Sequence, residues 1–514
     1  MGDAVFVPRD EELYNAGEAL LDAAAKRGER TLLRFQRSAI TGSELRERVL
    51  AAQRLVQERD VAQGDRVLLL LHDSPAFFAA FLGTLRAGAL PVPINPANSP
   101  ASLSFIARDA GVRLAFVEAD LESALADLPA LPRVRARDGA FEAVPPSSAP
   151  FAASRGGDAA FLLYTSGTTG APKGVVHRHA SLAVTAAHYG RGVLGLGEQD
   201  RVLSASKLFF AYGLGNSLTF PLLLGPECVL HPARATPEAI FALLRDEAPT
   251  VFFGVPTLYA ALLAHPALPE SLGSVRLCVS AGEALPAAIA ERWRARFGIE
   301  ILDGLGSTEM LHVFVSNRPG EARPGSSGVP VPGYAVRVVG DDGADAAPGE
   351  IGALLAGGDS AARSYHGRPE ESARTMFAPG WLRTGDSYRR DADGFLWHVG
   401  RSDDLFKASG QWVSPVEVEA ALCGHPAVVE AAVVAHTDAA GLVRPHAFAT
   451  LAPGHAASDA LAQELRGFVR ERVAAHKVPR AIAFLDELPK TATGKIQRHL
   501  LRERQAPAAA RDAR

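Results

Sequence analysis

Short apolar segments alternate with longer helical segments along most of this chain. Residues 67–71 have the length and composition of a buried strand, residues 76–87 follow as a helix, and residues 90–94 as the next strand. The same order recurs at 250–254, 275–280, the helix 287–296 and 300–302. Strands that alternate with helices form parallel sheets covered by helices, so the pattern predicts an α/β fold.

The chain of 514 residues is too long for one ordinary domain. Thr41 and Glu44 fit a capping box before a helix at 45–57, and residues 134–158 have the composition of a loop. After about residue 325 the pattern changes to shorter strands and turns, and the polar run 400–404 resembles a domain boundary. Beyond it the sequence predicts a small α+β unit. Its elements are a helix at 415–422, strands at 428–435 and 446–451, and an amphipathic helix at 459–475.

Composition excludes several classes of protein. A net charge of −4 gives no electrostatic footprint for nucleic acid or an acidic membrane surface. The three cysteines are far apart and form neither a metal spacing nor a disulfide framework. The N-terminus has no apolar signal core, the apolar runs are too short to span a membrane, and the C-terminal residues are no peroxisomal address. We expect a cytoplasmic enzyme.

Residues 164–174 combine glycines with hydroxyl side chains, directly after a predicted strand at 160–164. Glycines let backbone N–H groups approach an anion closely. Lys173 closes the segment, and lysine is rare here, with 7 among the 53 basic residues. A lysine retained in such a chain indicates a position that needs a compact ammonium group. The segment predicts a nucleotide-phosphate site rather than a surface turn. Its members are Thr165, Ser166, Gly167, Thr168, Thr169, Gly170 and Lys173.

This segment differs from the P-loop of classical NTPases, in which the lysine is followed by serine or threonine. Lys173 lies between Pro172 and Gly174, so a P-loop ATPase or kinase is disfavoured. His177 and His179 have the spacing of a metal pair, but no third ligand is near in sequence. We interpret them as polar residues that precede a helix beginning near residue 181.

Four further segments follow in order: Gly-Leu-Gly-Ser-Thr-Glu at 304–309, Trp-Leu-Arg-Thr-Gly-Asp at 381–386, Gly-Arg-Ser-Asp-Asp-Leu-Phe-Lys at 400–407, and Pro-Lys-Thr-Ala-Thr-Gly-Lys at 489–495. With these five segments the chain resembles the adenylate-forming superfamily of acyl-CoA synthetases, peptide-synthetase adenylation domains and luciferases. Segments 205–221 and 309–312 are most similar to benzoate-CoA ligases. The resemblance implies an N-terminal adenylation domain at 1–402, including a smaller β subdomain. A mobile C-terminal lid domain would occupy 403–514.

The resemblance also implies the roles of the residues around ATP. Lys495 would bridge the carboxylate of the acid and the α-phosphate, where a preorganised charge offsets the repulsion of two anions. Thr308 would bind the α-phosphate. Glu309 would hold Mg²⁺ on the phosphates, since this ion prefers carboxylate oxygen. Asp386 would accept hydrogen bonds from the ribose hydroxyls, and Arg401 would contact ribose or phosphate.

The resemblance implies a second step, in which the activated acid is transferred to coenzyme A, and this step would depend on the lid domain. Asp403 resembles the hinge of the superfamily, with Asp404 as the alternative, and a hinge needs only a few residues. Ser409 and Gly410 belong to a segment that would line the entrance for coenzyme A, and otherwise they form a simple turn. Lys490 matches no catalytic role, and we expect a solvated loop lysine.

The acid pocket would be an aromatic wall with small residues, which suits a flat ring. The alternative for its larger members is an ordinary place in the core. The resemblance to benzoate-CoA ligases assigns this pocket to Ala211, Tyr212, Gly213, Gly306, His312 and Val313.

Together these features predict an ATP-dependent ligase that activates benzoate or a substituted benzoate and transfers it to coenzyme A, with ATP, Mg²⁺ and coenzyme A as cofactor and co-substrates. The sequence leaves open whether the protein forms a homodimer. There are two rival interpretations. One is an enzyme that loads an aryl acid onto a carrier protein, which would be a separate chain because no carrier domain is expected after residue 503. The other is a ligase for short- or medium-chain aliphatic acids. Lys495 and Glu309 disfavour a non-catalytic nucleotide-binding protein, and nothing calls for luciferase-like oxygenation.

Overall fold

A computed structural model describes residues 5–165, 172–401, 404–408, 411–438, 442–490 and 496–504. Its strands are β1 Thr31–Phe35, β2 Ser38–Thr41, β3 Arg66–Leu70, β4 Leu90–Pro93, β5 Val112–Glu118, β6 Arg133–Arg137, β7 Ala140–Phe141, β8 Ala159–Thr165, β9 Lys173–Arg178, β10 Arg201–Ser204, β11 Glu227–Leu230, β12 Val251–Gly254, β13 Leu277–Ala281, β14 Ile301–Gly306, β15 Val313–Ser316, β16 Val329–Pro330, β17 Tyr334–Val339, β18 Ile351–Gly358, β19 Ser364–Tyr365, β20 Trp381–Arg390, β21 Leu396–Arg401, β22 Phe406–Ala408, β23 Gln411–Val413, β24 Val428–Thr437, β25 Val443–Leu451 and β26 Ala481–Phe484.

The helices are α1 Ala16–Ala25, α2 Gly42–Gln57, α3 Pro75–Arg86, α4 Pro100–Ala110, α5 His179–Thr185, α6 Ala211–Leu214, α7 Phe220–Leu224, α8 Pro237–Asp246, α9 Pro256–Ala264, α10 Ala287–Phe297, α11 Pro369–Thr375, α12 Pro415–Cys423, α13 Asp459–Arg470 and α14 Arg498–Arg504. Short π-helical turns occupy Ala186–Arg191 and Gly215–Thr219, and 3₁₀ turns occupy Ala119–Leu125 and Ala475–Lys477.

Two largely parallel sheets form the N-terminal part. Nine of the described strands pair in the order β16-β15-β14-β13-β12-β10-β11-β1-β2, and the interior pairs from β14 to β1 are parallel. A second sheet pairs in the order β4-β3-β5-β6-β7. Helix α3 packs against the second sheet and against α1 and α2, and it is buried along its whole length. The predicted parallel sheets covered by helices are confirmed.

A local signal sets the start of helix α2 as the sequence predicts. The Thr41 hydroxyl accepts from the Glu44 backbone N–H at 3.2 Å, and the Glu44 carboxylate accepts from the Thr41 N–H at 2.8 Å. This reciprocal pair is the predicted capping box, and it satisfies N–H groups at the start of α2 that lack partners within the helix.

Antiparallel pairing dominates after the large sheet. The prediction of shorter strands after about residue 325 is wrong, because β18 has 8 residues and β20 has 10. Strands pair in the order β17-β18-β20-β21, and a smaller sheet joins β19, β9 and β8. In the C-terminal part, β24, β25 and β26 form a sheet, against which α12 and α14 pack. The predicted boundary between 402 and 403 lies outside the described residues. None of the described helices is long and apolar enough to cross a membrane.

Three further local predictions are wrong. The segment 134–158 is not a loop throughout, because β6 and β7 occupy part of it and extend the second sheet beyond β5. The amphipathic helix ends at Arg470 rather than 475, and a short turn follows. The phosphate segment leads into strand β9 before helix α5 begins at His179, so His177 belongs to a strand. Strand pairing accounts for the first and the third of these differences.

Candidate active site

Strands β8 and β9 form an antiparallel hairpin around the predicted phosphate segment. Thr165 is paired with Lys173 at the ends of these strands, so the two lie on opposite sides of the connecting segment. The Arg368 guanidinium donates to the carbonyl of Pro172 at 3.2 Å, which anchors the chain where it enters β9. Ser166, Gly167, Thr168, Thr169 and Gly170 lie outside the described residues, and their roles remain predictions.

Lys173 forms an ion pair with Glu371, a residue of α11 that the sequence did not indicate. The hydrogen bond from Lys173 and its charge lower the pKa of the Glu371 carboxyl, so this carboxylate is ionised near neutral pH. The ammonium also lies 5.4 Å from the centroid of the Tyr365 ring. The lysine predicted for ATP phosphates therefore already has an anionic partner in the protein.

Glu309 and Thr308 follow the end of β14, at the carboxyl edge of the large sheet. Ligands bind at this edge in open α/β sheets. The Tyr365 hydroxyl donates to Glu309 Oε1 at 2.8 Å, and the Ala362 N–H donates to the Glu309 carbonyl at 2.7 Å. Burial, followed by the charge and hydrogen bond of Glu309, raises the pKa of Tyr365. Tyr365 therefore keeps its proton and orients the Glu309 carboxylate.

The histidine pair lies in the protein interior. Burial lowers the pKa of His177 to about 3, and a backbone hydrogen bond with Thr308 opposes the shift. Its ring stacks on Phe161 at 4.9 Å between centroids. His179 Nδ1 accepts from the Ala16 N–H at 3.1 Å, and burial lowers its pKa to about 4. Both rings are therefore neutral near pH 7.

Asp386 and Arg401 face each other across the pair β20–β21. A single guanidinium nitrogen of Arg401 donates to Asp386 Oδ1 and to the Thr384 carbonyl, each at 3.0 Å. His398 Nε2 lies 3.9 Å from the same carboxylate oxygen, and burial lowers the pKa of its ring. The two residues predicted for the ribose are thus brought together, with Arg401 holding the carboxylate.

The residues predicted for the acid pocket also meet. Val313 of β15 is paired with Gly306 of β14, so both lie beside the turn that carries Glu309. The rings of Tyr212 and His312 lie 5.5 Å apart between centroids. A side chain at Gly306 would meet the His312 backbone at 2.9 Å, which explains glycine there. Ala211 and Gly213 flank Tyr212 in helix α6.

His312 is enclosed by aromatic rings. The centroids of Tyr189, Tyr212 and Phe220 lie 5.3, 5.5 and 4.7 Å from its own. Burial lowers the pKa of His312 to about 3, and a backbone hydrogen bond with Tyr212 opposes the shift. Burial also raises the pKa of Tyr212. The imidazole is therefore neutral and the phenol protonated, so this side of the site carries no charge at pH 7.

The C-terminal residues are described only in part. Lys495, Asp403, Ser409 and Gly410 lie outside the described residues, and their roles remain predictions. Strands β22 and β23 pair on either side of 409–410. The prediction of a solvated Lys490 is wrong, because its ammonium lies 2.7 Å from a carboxylate oxygen of Glu430.

Comparisons with known proteins agree with this geometry. A model of the AMP-binding enzyme family matches residues 20–366, and a model of the AMP-binding enzyme C-terminal domain matches residues 417–495. The chain belongs to the AMP-binding enzyme family. This is the adenylate-forming group that the motifs predict.

Individual relatives cover nearly the whole chain. A benzoate–CoA ligase of Thauera aromatica is 44% identical, with 97% of each chain covered. A 4-hydroxybenzoate–CoA/benzoate–CoA ligase of Rhodopseudomonas palustris is 43% identical, with 95% of this chain and 94% of the relative covered. The structure of a benzoate CoA ligase from Burkholderia xenovorans LB400 matches with a TM-score of 0.90 and 43% identity, covering 95% of this chain and 100% of the other.

Family membership does not reveal every contact in the site. Tyr365 and Glu371 lie in the segment 363–371, whose polar composition resembles an ordinary turn. Tyr365 lies 56 residues from Glu309 in sequence, and no local pattern connects the two. The pairing of β19 with β9 places this segment against the phosphate hairpin.

Proposed function

We propose that this chain is an AMP-forming aryl-CoA ligase that uses ATP to activate benzoate or a substituted benzoate. Relatives with that activity in their names, similar over nearly the full length, carry the proposal. In the first step the carboxylate oxygen attacks the α-phosphorus and pyrophosphate leaves. In the second step the thiolate of coenzyme A attacks the acyl carbon and AMP leaves. Neither step changes an oxidation state, so no oxidant or reductant is needed.

The charged side of the site suits the nucleotide. Thr308 and Glu309 lie at the carboxyl edge of the large sheet, Lys173 lies at the mouth of the phosphate hairpin, and Asp386 lies on β20. We assign Lys173 and Thr308 to phosphates, and Asp386 with Arg401 to the ribose. Lys495 would neutralise the approach of the two anions in the first step.

Glu309 is the proposed protein ligand of Mg²⁺. Its carboxylate is half-buried and is oriented by Tyr365. Within the described ranges no group of three His, Cys, Asp or Glu side chains could hold a metal ion. A single carboxylate fits Mg²⁺, which binds one or two protein carboxylates and completes its shell with substrate phosphates and water. Mg²⁺ would neutralise phosphate charge in the first step.

The uncharged side suits an aromatic ring. The rings of Tyr212 and His312 lie 5.5 Å apart between centroids and Val313 is buried, so a long aliphatic tail would find no room if Tyr212 and His312 close the pocket. We expect benzoate to be the best substrate, with small ring substituents tolerated. Size alone discriminates weakly, because one methylene is worth roughly 1–3 kcal/mol in such a pocket.

A panel of acids with ATP and coenzyme A tests the proposal. AMP and thioester should form together with benzoate and small substituted benzoates, and palmitate should give neither. Adenylate formation without thioester would favour loading of a carrier protein. A preference for hexanoate or palmitate over every aromatic acid would overturn the aryl specificity and leave the adenylation chemistry intact.

A further inference from the structure

Arg368 lies next to the ion pair between Lys173 and Glu371, beside the phosphate hairpin. Its Nη1 lies 3.4 Å from Oε1 of Glu371, the carboxylate that also pairs with Lys173. Its Nη2 lies 3.6 Å from Oδ1 of Asp109, a residue of α4. One carboxylate is therefore shared by two cations, and a second carboxylate pairs with the arginine.

Asp109 is itself held by the protein. Its Oδ2 accepts a hydrogen bond from the hydroxyl of Tyr164 in β8 at 2.7 Å. Burial, followed by the hydrogen bond and charge of Asp109, raises the pKa of Tyr164, so the phenol keeps its proton. Arg368 also donates to the carbonyl of Pro172. Two groups that do not involve Glu371 thus hold the guanidinium beside the hairpin.

The guanidinium of Arg368 has unused capacity to donate hydrogen bonds. Its Nε is buried and has no hydrogen-bond partner among the described residues. Its 3.4 Å contact with Glu371 is longer than the roughly 2.7–2.9 Å of a close charged pair. The hydrogen bond from Lys173 lowers the pKa of Glu371 more than the one from Arg368 does. Within the protein, Lys173 is therefore the main partner of this carboxylate, and Arg368 is a second cation close to it.

The proposed function requires Lys173 to bind phosphate as well as Glu371. A lysine that turns to phosphate takes the main partner away from the Glu371 carboxylate, which is half-buried. A charge that is shielded from water and left uncompensated is costly, and this cost would lower the affinity for ATP. A second cation that can pair fully with the carboxylate removes most of that cost.

We propose that Arg368 is a positioning residue for the adenylation step, which takes over the Glu371 carboxylate when Lys173 turns to the phosphates of ATP. This inference rests on the proposed function and deepens it. Lys173 would contact the nucleotide, whereas Arg368 acts through Glu371, and only ion pairs are exchanged. The exchange concerns the first step, because pyrophosphate has already left when coenzyme A attacks.

Arg368→Gln tests the role of the charge, since glutamine keeps an N–H donor on a neutral side chain. The KM for ATP should rise about 10-fold, because Glu371 is left uncompensated when Lys173 moves. The KM for benzoate and the conversion of supplied benzoyl-adenylate to thioester should stay near their original values. Arg374→Gln, at an exposed position of the same helix, is the matched control and should change none of these. An unchanged KM for ATP in Arg368→Gln would overturn the proposal.

Rescue by a second substitution separates positioning from a purely structural role. Glu371→Gln removes the charge that needs compensation, so adding it to Arg368→Gln should bring the KM for ATP to within about 2-fold of Glu371→Gln alone. If Arg368 only anchored the hairpin, the effects would add and the double variant would keep its 10-fold loss. That result, or a KM for ATP that rises in Glu371→Gln alone, would contradict the exchange.

Arg368→Lys keeps the charge and decides the question if Arg368→Gln does not fold. Its KM for ATP should lie within about 3-fold of the unsubstituted protein, since a nearby cation still compensates Glu371. A rise of 10-fold or more in folded Arg368→Lys would show that the charge is not what matters, and would overturn the proposal. Failure of the unsubstituted protein to form AMP with any aromatic acid would instead overturn the proposed function itself.

Discussion

The two sides of the candidate site hold their ligands by different physics. On the phosphate side, Lys173, Glu309 and Asp386 are half-buried and each is already engaged by another side chain, namely Glu371, Tyr365 and Arg401. On the ring side, His312 is buried, neutral and enclosed by aromatic rings. A charged side chain that binds a charged ligand needs another partner while the ligand is absent, since an unpaired charge out of water is costly. An apolar pocket needs only shape and a few directed hydrogen bonds.

This contrast predicts that changes on the phosphate side alter the adenylation step, whereas changes on the ring side alter the choice of acid.

Removing the charge of Lys495 should have the largest effect. Lys495→Ala should slow adenylate formation by about 10²-fold or more, because a preorganised charge is lost. Conversion of supplied benzoyl-adenylate to thioester should persist, as rapid-quench assays of each half-reaction would show. Lys490→Ala is the control, since that lysine pairs with Glu430. Equal damage to both steps would refute the assignment.

Tyr365→Phe tests whether Glu309 depends on its neighbour. Loss of a hydrogen bond to a carboxylate is worth about 1.5–3 kcal/mol, so we expect kcat/KM for ATP to fall about 10-fold or more. The Mg²⁺ concentration for half-maximal activity should rise in parallel. Tyr388→Phe removes a buried hydroxyl that bonds Ser327, and serves as control. An unchanged Mg²⁺ dependence would separate Tyr365 from the metal site.

Val313→Ala tests the ring side by volume. Val313 is almost fully buried, and its removal leaves room beside the ring. Bulkier benzoates should gain about 10-fold relative to benzoate, since one methylene contributes about 1–3 kcal/mol. The KM for ATP should stay near its original value. Val338→Ala is similarly buried but lies in the antiparallel sheet, and should not change selectivity. A change in the KM for ATP without a change in the preference among benzoates would contradict the assignment of nucleotide binding to one side and acid selection to the other.

Glu371→Gln removes the charge that holds Lys173 in the protein alone. Because the carboxylate competes with phosphate for the ammonium, we expect the KM for ATP to fall about 3-fold, an effect typical of one partly exposed ion pair. The gain should shrink at high salt. Glu370→Gln changes the adjacent exposed carboxylate and should do little. An increase in the KM for ATP would mean that Glu371 positions Lys173 instead of competing for it.

Buried neutral histidines should make stability depend on pH. The pKa of His177 is about 3 in the folded protein, below its ordinary value of 6.5. Between these two values the unfolded chain therefore binds a proton at this histidine that the folded chain does not bind. The free energy of unfolding decreases as pH falls from 6.5 toward 3, by at most about 1.4 kcal/mol per pH unit for one group. His177→Gln should flatten the fall of the melting temperature between pH 7 and 5. His455→Gln, at an exposed position, should not.

Local signals in the amino-acid sequence were enough to predict the fold class and the family. Apolar runs of strand length and the capping box at Thr41 predict parallel sheets and helix starts that the structure confirms. The motif segments at 304–309 and 381–386 likewise identify the family, because their residue types and order are readable without neighbours in space. Local composition failed at 134–158, where β6 and β7 add to a sheet edge.

The side chains that control the predicted site residues became visible only in three dimensions. Glu309 meets Tyr365 across 56 positions, and His312 meets Asn216 across 96. Serines, tyrosines and asparagines are common in turns and cores, so sequence cannot tell an orienting hydrogen bond from an ordinary one. Their roles come from burial, which removes water as a competing partner and forces each remaining donor and acceptor into one arrangement.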